Sequence, residues 1–318
     1  MRRLALAVLA PVAATAVLAG CGGGASSGNA NDAVNVTGSF NKAPTVTIPA
    51  EKASTNLVIS KPIQGTGAPL KPANAALANV VIYKWSGTKH SLADSTFGSG
   101  PQMIPAQMGL PGLASALKGA RLGSRVVAVL PPKYGYGTAG DSQLGVTGTD
   151  TLVWVIDLIQ QYSGSQSASG SQVSSGGGAL PTVTAKPGQA PAVTIPKTSP
   201  PSTLSVTTLI KGAGPKLATG DTVVAQYVGS IWRTGQVFGS TWPSSQQPEG
   251  APFSFQLGGG VLTGLSEGLA GVPVGSRVML VIPPALGYGP QGGNASAGIE
   301  KTDSLVFVVD VIGSLAKG

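Results

Sequence analysis

The chain has 318 residues, of which 42% are hydrophobic and 10% are charged, and its formal net charge is +8. This length can supply two domains with real cores, while 47 glycines and 25 prolines predict many loops around a β-rich fold. The basic residues are scattered singly, which excludes the basic groove of a nucleic-acid-binding protein, and the single cysteine excludes an intrachain disulfide or a cysteine-based metal site.

The N-terminus has the pattern of an export signal. Two arginines precede an apolar run over residues 4–18, which is too short to span a bilayer comfortably. The sequence Leu-Ala-Gly-Cys ending at Cys21 resembles the lipobox of bacterial lipoproteins, which implies removal of residues 1–20 and a lipid on Cys21. An ordinary secretory signal with a stray cysteine is the alternative. We therefore expect a protein anchored in the cell membrane by lipid, on its extracytoplasmic face.

An internal repeat organises the rest of the chain. Residues 110–137 align without gaps to residues 262–289, with 15 of 28 positions identical. Between the copies lies a segment rich in serine, glycine and proline that has little apolar content. The expected organisation is a flexible tether over 21–56, a first domain over 57–162, a linker over 163–203 and a second domain over 204–318. The proline-rich leader that precedes each domain is interpreted as a spacer or, alternatively, as a binding motif.

Within the second copy, runs of β-branched and aromatic residues predict strands over 221–230, 253–257, 277–282 and 304–312. Leu265 and Leu269 stand four residues apart and predict one short helix over 263–270, and Leu113 and Leu117 repeat this spacing in the first copy. One helix among several strands predicts an α+β fold with an antiparallel sheet.

Two stretches, 135–140 and 287–292, match the dinucleotide pattern G-x-G-x-x-G. That fingerprint requires its glycines to open a helix, whereas here a turn-rich loop and then a strand follow. We therefore reject nucleotide binding. His90, the one histidine, lies in a polar loop and is interpreted as solvated, so a histidine-dependent nucleophile has no partner in the second copy. No metal or cofactor is expected.

The segments GDTVVAQYVG, VFGST, PFSFQLGGGVLTGLSEGL, VGSRVMLVIPPALGYG and DSLVFVVDVI resemble an FKBP-type peptidyl-prolyl cis-trans isomerase, in that order. The first copy resembles the same family through VVIYKW, ADSTF and VVAVLPPKYGYG. The resemblance implies two FKBP-like domains, each an antiparallel half-barrel sheet wrapped around one short helix, with an apolar pocket for a proline side chain.

The resemblance implies which residues of each copy match the pocket-lining positions of the family. In the second copy the matching residues are Tyr227, Phe238, Phe253, Val261, Leu262, Leu265, Tyr288, Ile299 and Phe307. In the first copy they are Tyr83, Asp94, Leu110, Leu113, Tyr136, Val146 and Trp154. Tyr288 matches the family's hydrogen-bond donor to the substrate carbonyl.

Each copy departs from the family pattern. In the second, Leu265 replaces a tryptophan and Gly239 replaces an aspartate. In the first, Ala93 and Gln102 stand where two aromatics are expected, which predicts a degenerate pocket that is wider and wetter.

The resemblance thus implies a peptidyl-prolyl isomerase that assists the folding of secreted or envelope proteins, with activity mainly in the second domain. Its partners would be proline-containing unfolded or partly folded polypeptides and, through the lipid, the membrane. The alternative is a catalytically weak or inactive FKBP-like chaperone or binding module.

Overall fold

A computed structural model describes residues 29–107 and 109–317 of the chain. The expected signal peptide and the lipidated Cys21 lie outside the described residues. No helix in the described ranges has the length and apolar character needed to cross a membrane.

The first half of the chain forms an antiparallel sheet. Its strands, with the hairpin that precedes them, are β1 (Asn35–Thr37), β2 (Thr45–Thr47), β3 (Val58–Ile63), β4 (Asn74–Ser86), β5 (Lys89–Ser95), β6 (Gln102–Pro105), β7 (Arg125–Leu130) and β8 (Thr151–Ser163). The order across the sheet is β3-β7-β8-β4-β5, and β6 also pairs with β4. The central strands are runs of β-branched and other apolar residues, which suit a pleated surface buried on both faces.

The second half repeats this arrangement. Its strands are β9 (Ser171–Gln172), β10 (Thr182–Thr184), β11 (Ala192–Thr194), β12 (Ser205–Lys211), β13 (Thr222–Ile231), β14 (Val237–Ser240), β15 (Phe253–Gln256), β16 (Arg277–Ile282), β17 (Gly293–Asn294), β18 (Ile299–Glu300) and β19 (Leu305–Leu315). The order is β14-β13-β19-β16-β12-β9, and β15 pairs with β13. The predicted strands agree with β13, β15, β16 and β19 to within three residues.

The two α-helices of the described residues are short. Helix α1 (Pro111–Leu117) and helix α2 (Thr263–Leu269) each follow a leucine at the N-cap position and pack on the strand that comes next, β7 or β16. A helix of two turns is marginal alone, so burial of its apolar face against the sheet stabilises it. The predicted fold class, antiparallel sheets with few helices, agrees with this arrangement.

The segments predicted as flexible tether and linker are folded onto the sheets, so that prediction is wrong where the structure describes them. The β1–β2 hairpin pairs Val36 with Val46 and packs on the outer face of the first sheet. The β10–β11 hairpin pairs Val183 with Val193 on the outer face of the second. Three-residue strands between prolines and glycines give too weak a periodic signal to be recognised in the sequence.

A buried ion pair lies beneath each hairpin. Arg125 donates from Nε and Nη2 to the two carboxylate oxygens of Asp157, both at 2.7 Å, and Arg277 makes the same two-pronged contact with Asp310. All four side chains are almost fully buried. A charge in such a position is tolerated only when it is paired and hydrogen-bonded.

The two sheets contact each other directly. Leu77 and Tyr162 of the first half and Val224 and Ile312 of the second form one buried cluster. Leu77 and Val224 each precede a β-bulge, a feature that redirects the side chains of a strand. The amide of Met103 on β6 donates to Ser254 Oγ on β15 at 3.2 Å. The halves therefore share a small apolar interface beside β15.

Candidate active site

An apolar cavity of about 400 Å³ opens between the second sheet and the start of α2. Residues from β13, β14, β15, β19, α2, the segment just before α2 and the loop after β16 line it. They are Ala225, Tyr227, Phe238, Phe253, Phe255, Gly260, Val261, Leu262, Leu265, Leu269, Tyr288, Gln291, Phe307 and Val309.

Strand periodicity explains how these residues meet. Alternate residues of a strand point to the same face, so Ala225 and Tyr227, Phe253 and Phe255, and Phe307 and Val309 enter the cavity as three pairs. The strand register sets Ala225 opposite Phe253, and Tyr227 opposite Val309. The cavity wall is thus a continuous patch of one sheet face.

The aromatic rings of the cavity contact one another, edge to face for Tyr227–Phe253 and Phe238–Phe307 and tilted for Tyr227–Phe307. The centroid of the Phe307 ring lies 5.8 Å from that of Tyr227 and 5.5 Å from that of Phe238, and Tyr227 lies 6.3 Å from Phe253. Phe253 also stacks on Phe255 at 5.4 Å. Such pairs add roughly 0.5–1.5 kcal/mol each beyond the area they bury. Phe253 remains 41% exposed, which leaves one apolar ring open to a ligand.

The ring of Phe238 occupies space above a glycine. A Cβ atom at Gly229 would lie 2.5 Å from Phe238 Cζ, far inside van der Waals contact. Any side chain at this position would therefore displace the ring, so Gly229 is part of the cavity's construction.

Hydrogen bonds fix the backbone of Tyr227, and the residue is half-buried. Its amide donates to Thr241 Oγ1 at 2.8 Å, and the Thr241 amide returns a hydrogen bond to its carbonyl at 3.1 Å. Burial, and secondarily the neighbouring Tyr288 hydroxyl, raises the pKa of Tyr227. A Cβ atom at Gly239 would lie 3.2 Å from the Tyr227 hydroxyl oxygen, so the missing carboxylate would have stood beside this group.

Tyr288 follows a tight turn that begins with two prolines. A 3-10 helix over Pro284–Leu286 leads into it and another, Gly289–Gln291, follows. The Tyr288 carbonyl accepts from the amides of Gln291 and Gly293 at 3.1 and 2.9 Å. Within the described residues its hydroxyl has no hydrogen-bond partner, although it lines the cavity. The turn thus presents a free phenol to whatever occupies the site.

The structure brings eight of the nine residues predicted for the second copy to this cavity. Ile299 is the exception, because it is 3% exposed and belongs to the core beneath. Six lining residues were not predicted. The alternation along each strand could have indicated three of them, Ala225, Phe255 and Val309; the other three are Gly260, Leu269 and Gln291.

In the first half the predicted position of Tyr83 is wrong. Tyr83 packs on the outer face of its sheet, against the hairpin cluster. The true counterpart of Tyr227 is Val80, because the Val80 amide donates to Thr96 Oγ1 and its carbonyl accepts from the Thr96 amide, as Tyr227 does with Thr241. The error arose from aligning two similar strands three residues out of register, an odd shift that moves a side chain to the other face.

Other first-half positions agree with the register. Ala78, the counterpart of Ala225, pairs with Gln102, so Gln102 stands where the second half has Phe253. Asp94 pairs with Ile82 as Gly239 pairs with Gly229. Asp94 is exposed and accepts a hydrogen bond from the next amide at 2.8 Å. The carboxylate is retained here, but the tyrosine beside it is lost.

The predicted wide and wet pocket of the first half is also wrong. Leu110 and Leu113 are 6% and 0% exposed, whereas their counterparts Leu262 and Leu265 are half-buried and line the cavity. Val146 and Trp154 are buried in the same core. Burial, then the nearby Asp141 carboxylate, raises the pKa of Tyr136. The first half therefore fills with side chains the space that the second half leaves open.

This combination of an antiparallel sheet, one short helix and an aromatic cavity without a nucleophile defines a class of apolar peptide-binding or isomerase domain. A family model for FKBP-type peptidyl-prolyl cis-trans isomerase matches residues 75–159 and 214–312, which is more than half of the chain. The chain belongs to this family.

Relatives of known name are similar to part of this chain. The chain is 37% identical over 123 residues to the FK506-binding protein of Streptomyces anulatus, which covers 38% of this chain and 94% of the relative. It is 35% identical over 123 residues to the probable FK506-binding protein of Corynebacterium glutamicum, covering 38% and 96%. FkpA from Escherichia coli is a similar solved structure, with 33% identity, a TM-score of 0.31 and coverage of 36% of this chain and 49% of that one.

Proposed function

We propose that the chain is a peptidyl-prolyl isomerase whose activity resides mainly in residues 204–318, and that residues 57–162 form a second, catalytically weak domain of the same family. The observation that carries the proposal is the aromatic cavity of about 400 Å³ with the unpartnered Tyr288 hydroxyl in its wall. Its volume suits a proline side chain with its flanking backbone.

The chemistry requires no nucleophile. Rotation about an X-Pro bond has a barrier of about 18–20 kcal/mol, because the planar amide is stabilised by resonance, and this makes it slow enough to limit folding. In the twisted state the resonance and its charge separation are lost. An apolar wall of Tyr227, Phe238 and Phe307 favours that state over the planar one. Tyr288 would donate to a substrate carbonyl and hold the peptide in place.

An isomerisation assay with a short X-Pro peptide tests whether the activity resides in the second half. In the full chain, Phe253→Ala removes the open aromatic ring, and we expect it to abolish most acceleration of a short X-Pro peptide and of proline-limited refolding. Gln102→Ala, at the matched place of the first half, is the control and should leave the rate unchanged. Equal losses from both variants would contradict the assignment. The full chain is used because β15, which carries Phe253, contacts the first half.

A binding module without useful activity is the second candidate. It is favoured by Gly239, which leaves the Tyr227 hydroxyl without the carboxylate neighbour, and by Leu265 in place of an aromatic floor. Under this alternative the chain binds an unfolded polypeptide but does not accelerate either reaction, and Phe253→Ala weakens binding.

We further propose that Cys21 carries a lipid and holds the protein at the extracytoplasmic face of the cell membrane. The support is the export pattern and the lipobox-like sequence before Cys21. The clients would then be secreted or envelope proteins with exposed prolines. Cys21→Ala should move the protein from the membrane to the soluble fraction, whereas Ser26→Ala should leave it at the membrane.

A further inference from the structure

The outer face of the second sheet carries a polar cavity of about 260 Å³ beneath the β10–β11 hairpin. Arg277, Lys186 and Ser167 are among its lining residues, and no acidic side chain lines it in the described part of the chain. This cavity lies on the opposite face of the sheet from the aromatic site.

Arg125 is the first-half counterpart of Arg277, and its surroundings contain hydrogen-bond acceptors that the cavity lacks. The hairpin turn of residues 38–44 is as long as that of residues 185–191, but it folds down over Arg125. Arg125 Nη1 and Nη2 donate to the carbonyls of Gly38, Ser39 and Lys42 at 2.8–3.0 Å. The edge of this guanidinium that faces away from its aspartate is therefore saturated with oxygen acceptors.

In the second half that edge is open. Arg277 uses Nε and Nη2 for Asp310, and none of the described residues accepts a hydrogen bond from its Nη1. The amide of Ala168, from the linker segment, donates to Asp310 at 2.8 Å, so the segment reaches the ion pair but offers it a donor and no acceptor. Arg277 is only 5% exposed and lines the small cavity, so the cavity is the space that its remaining donors reach.

The charges around the cavity do not cancel. Asp310 neutralises Arg277, while Lys186, at the position that Ser39 occupies in the first half, has no ion-pair partner among the described residues. Ser167 contributes a hydroxyl with no described partner. Two cationic donors and a hydroxyl around one small cavity are the groups that bind a carboxylate or phosphate, which a guanidinium edge binds in a two-pronged manner.

We propose that this cavity binds a small oxyanion, a carboxylate or a phosphate, on the open edge of Arg277, with Lys186 supplying the balancing charge. The bound oxygens take the place of the turn carbonyls that cover Arg125 in the first half. The site is independent of the isomerase cavity, since the sheet lies between them. Binding would fasten the β10–β11 hairpin to the second sheet.

The test uses the purified chain and two probes, sodium phosphate and sodium acetate, each at ionic strength matched with sodium chloride. A ligand that binds only the folded state raises the unfolding midpoint by mass action, so we expect a saturable rise with either probe and one site by calorimetry. Preference for one probe identifies the oxyanion class. The absence of a saturable response to both, as for a cavity that holds only water, would overturn the proposal.

Two variants locate the site. Lys186→Gln should weaken binding at least about fivefold, roughly one kcal/mol, whereas Lys216→Gln, an exposed lysine outside the cavity, should not. Ser167→Asp places a carboxylate in the cavity and should remove the response to both probes while raising the midpoint without them. Equal effects of the two lysine variants, or a response retained in Ser167→Asp, would assign binding to the general surface charge and contradict the proposal.

Discussion

The two halves of the chain use the same sheet frame but fill its centre in opposite ways. In the second half Gly229 leaves room for the ring of Phe238, whereas in the first half the equivalent positions hold Ile82 and Ala93. The large side chain belongs to Phe238 in the second half and to Ile82, on the neighbouring strand, in the first half. The core of the first half therefore remains closed. Loss of a binding cavity therefore does not require loss of packing density, because a matched pair of substitutions can replace the pocket with ordinary core.

The outer faces differ in the same sense. A turn of the first hairpin saturates Arg125 with carbonyl oxygens, and the second hairpin leaves an edge of Arg277 open. The first half, which has no open cavity at its centre, thus also has its buried arginine covered on the outer face of the sheet. This contrast is the basis of our proposal that the second half is the one that binds ligands.

The largest expected effect comes from breaking the ion pairs. Asp310→Asn leaves Arg277 buried with little compensation, and removal of one partner of such a pair costs about 3–5 kcal/mol. Asp157→Asn should cost less, because Arg125 keeps its carbonyl acceptors. Urea unfolding of both variants measures the difference. Equal losses would mean that the hairpin carbonyls contribute nothing to holding Arg125.

The next prediction exchanges the central packing. Gly229→Ile places in the second half the side chain that the first half has there, and it must displace Phe238 from the cavity. We expect kcat/KM for an X-Pro peptide to fall at least about tenfold, ~1.4 kcal/mol, with some loss of stability from overpacking. Ile82→Gly is the matched control, since it should lower stability without changing activity. A Gly229→Ile protein with normal activity would remove Phe238 from the site.

A smaller effect is expected from restoring the carboxylate. Gly239→Asp brings an acceptor beside the Tyr227 hydroxyl, where a Cβ atom would lie 3.2 Å from that oxygen. Orientation of the ring by a charged hydrogen bond should raise kcat/KM about threefold, ~0.7 kcal/mol. Asp94→Gly, the reverse change in the first half, should alter nothing. A fall in activity of Gly239→Asp would mean that the cavity has adapted to the glycine.

The sequence predicted the family, the main strands of the second half and eight of the residues that line its cavity, because the repeated segments around Tyr288 and Phe307 are long and strongly patterned. It failed where the signal is local and weak. The leader hairpins rest on single valine pairs such as Val36 and Val46, whose packing partners lie far along the chain.

The first-half errors have a different physical origin. A strand of uniformly apolar residues fits its neighbour in several registers by composition, and only the hydrogen bonds between Val80 and Thr96 select the true one. The sequence also could not predict that the first cavity is closed. Ala93 and Gln102 indicate the loss of two aromatic rings, but the side chain that fills the space is Ile82, on another strand.

The contact between the halves gives the prediction with the smallest effect near neutral pH. Burial raises the pKa of Tyr162, in the shared cluster, to about 12. An unfolded tyrosine titrates near about 10, so the folded state holds the proton more tightly. The contribution of Tyr162 to stability is complete below that pH and is lost as the pH rises through its folded pKa.

Urea midpoints measured from neutral to strongly alkaline pH should therefore be flat and then fall. Tyr162→Phe should reduce the alkaline fall, because phenylalanine keeps the apolar contact with Leu77 and Val224 without an ionisable group. Tyr134→Phe, outside the shared cluster, should leave the fall in place. An undiminished alkaline fall in Tyr162→Phe would show that this hydroxyl is solvated in the folded protein and would contradict the prediction.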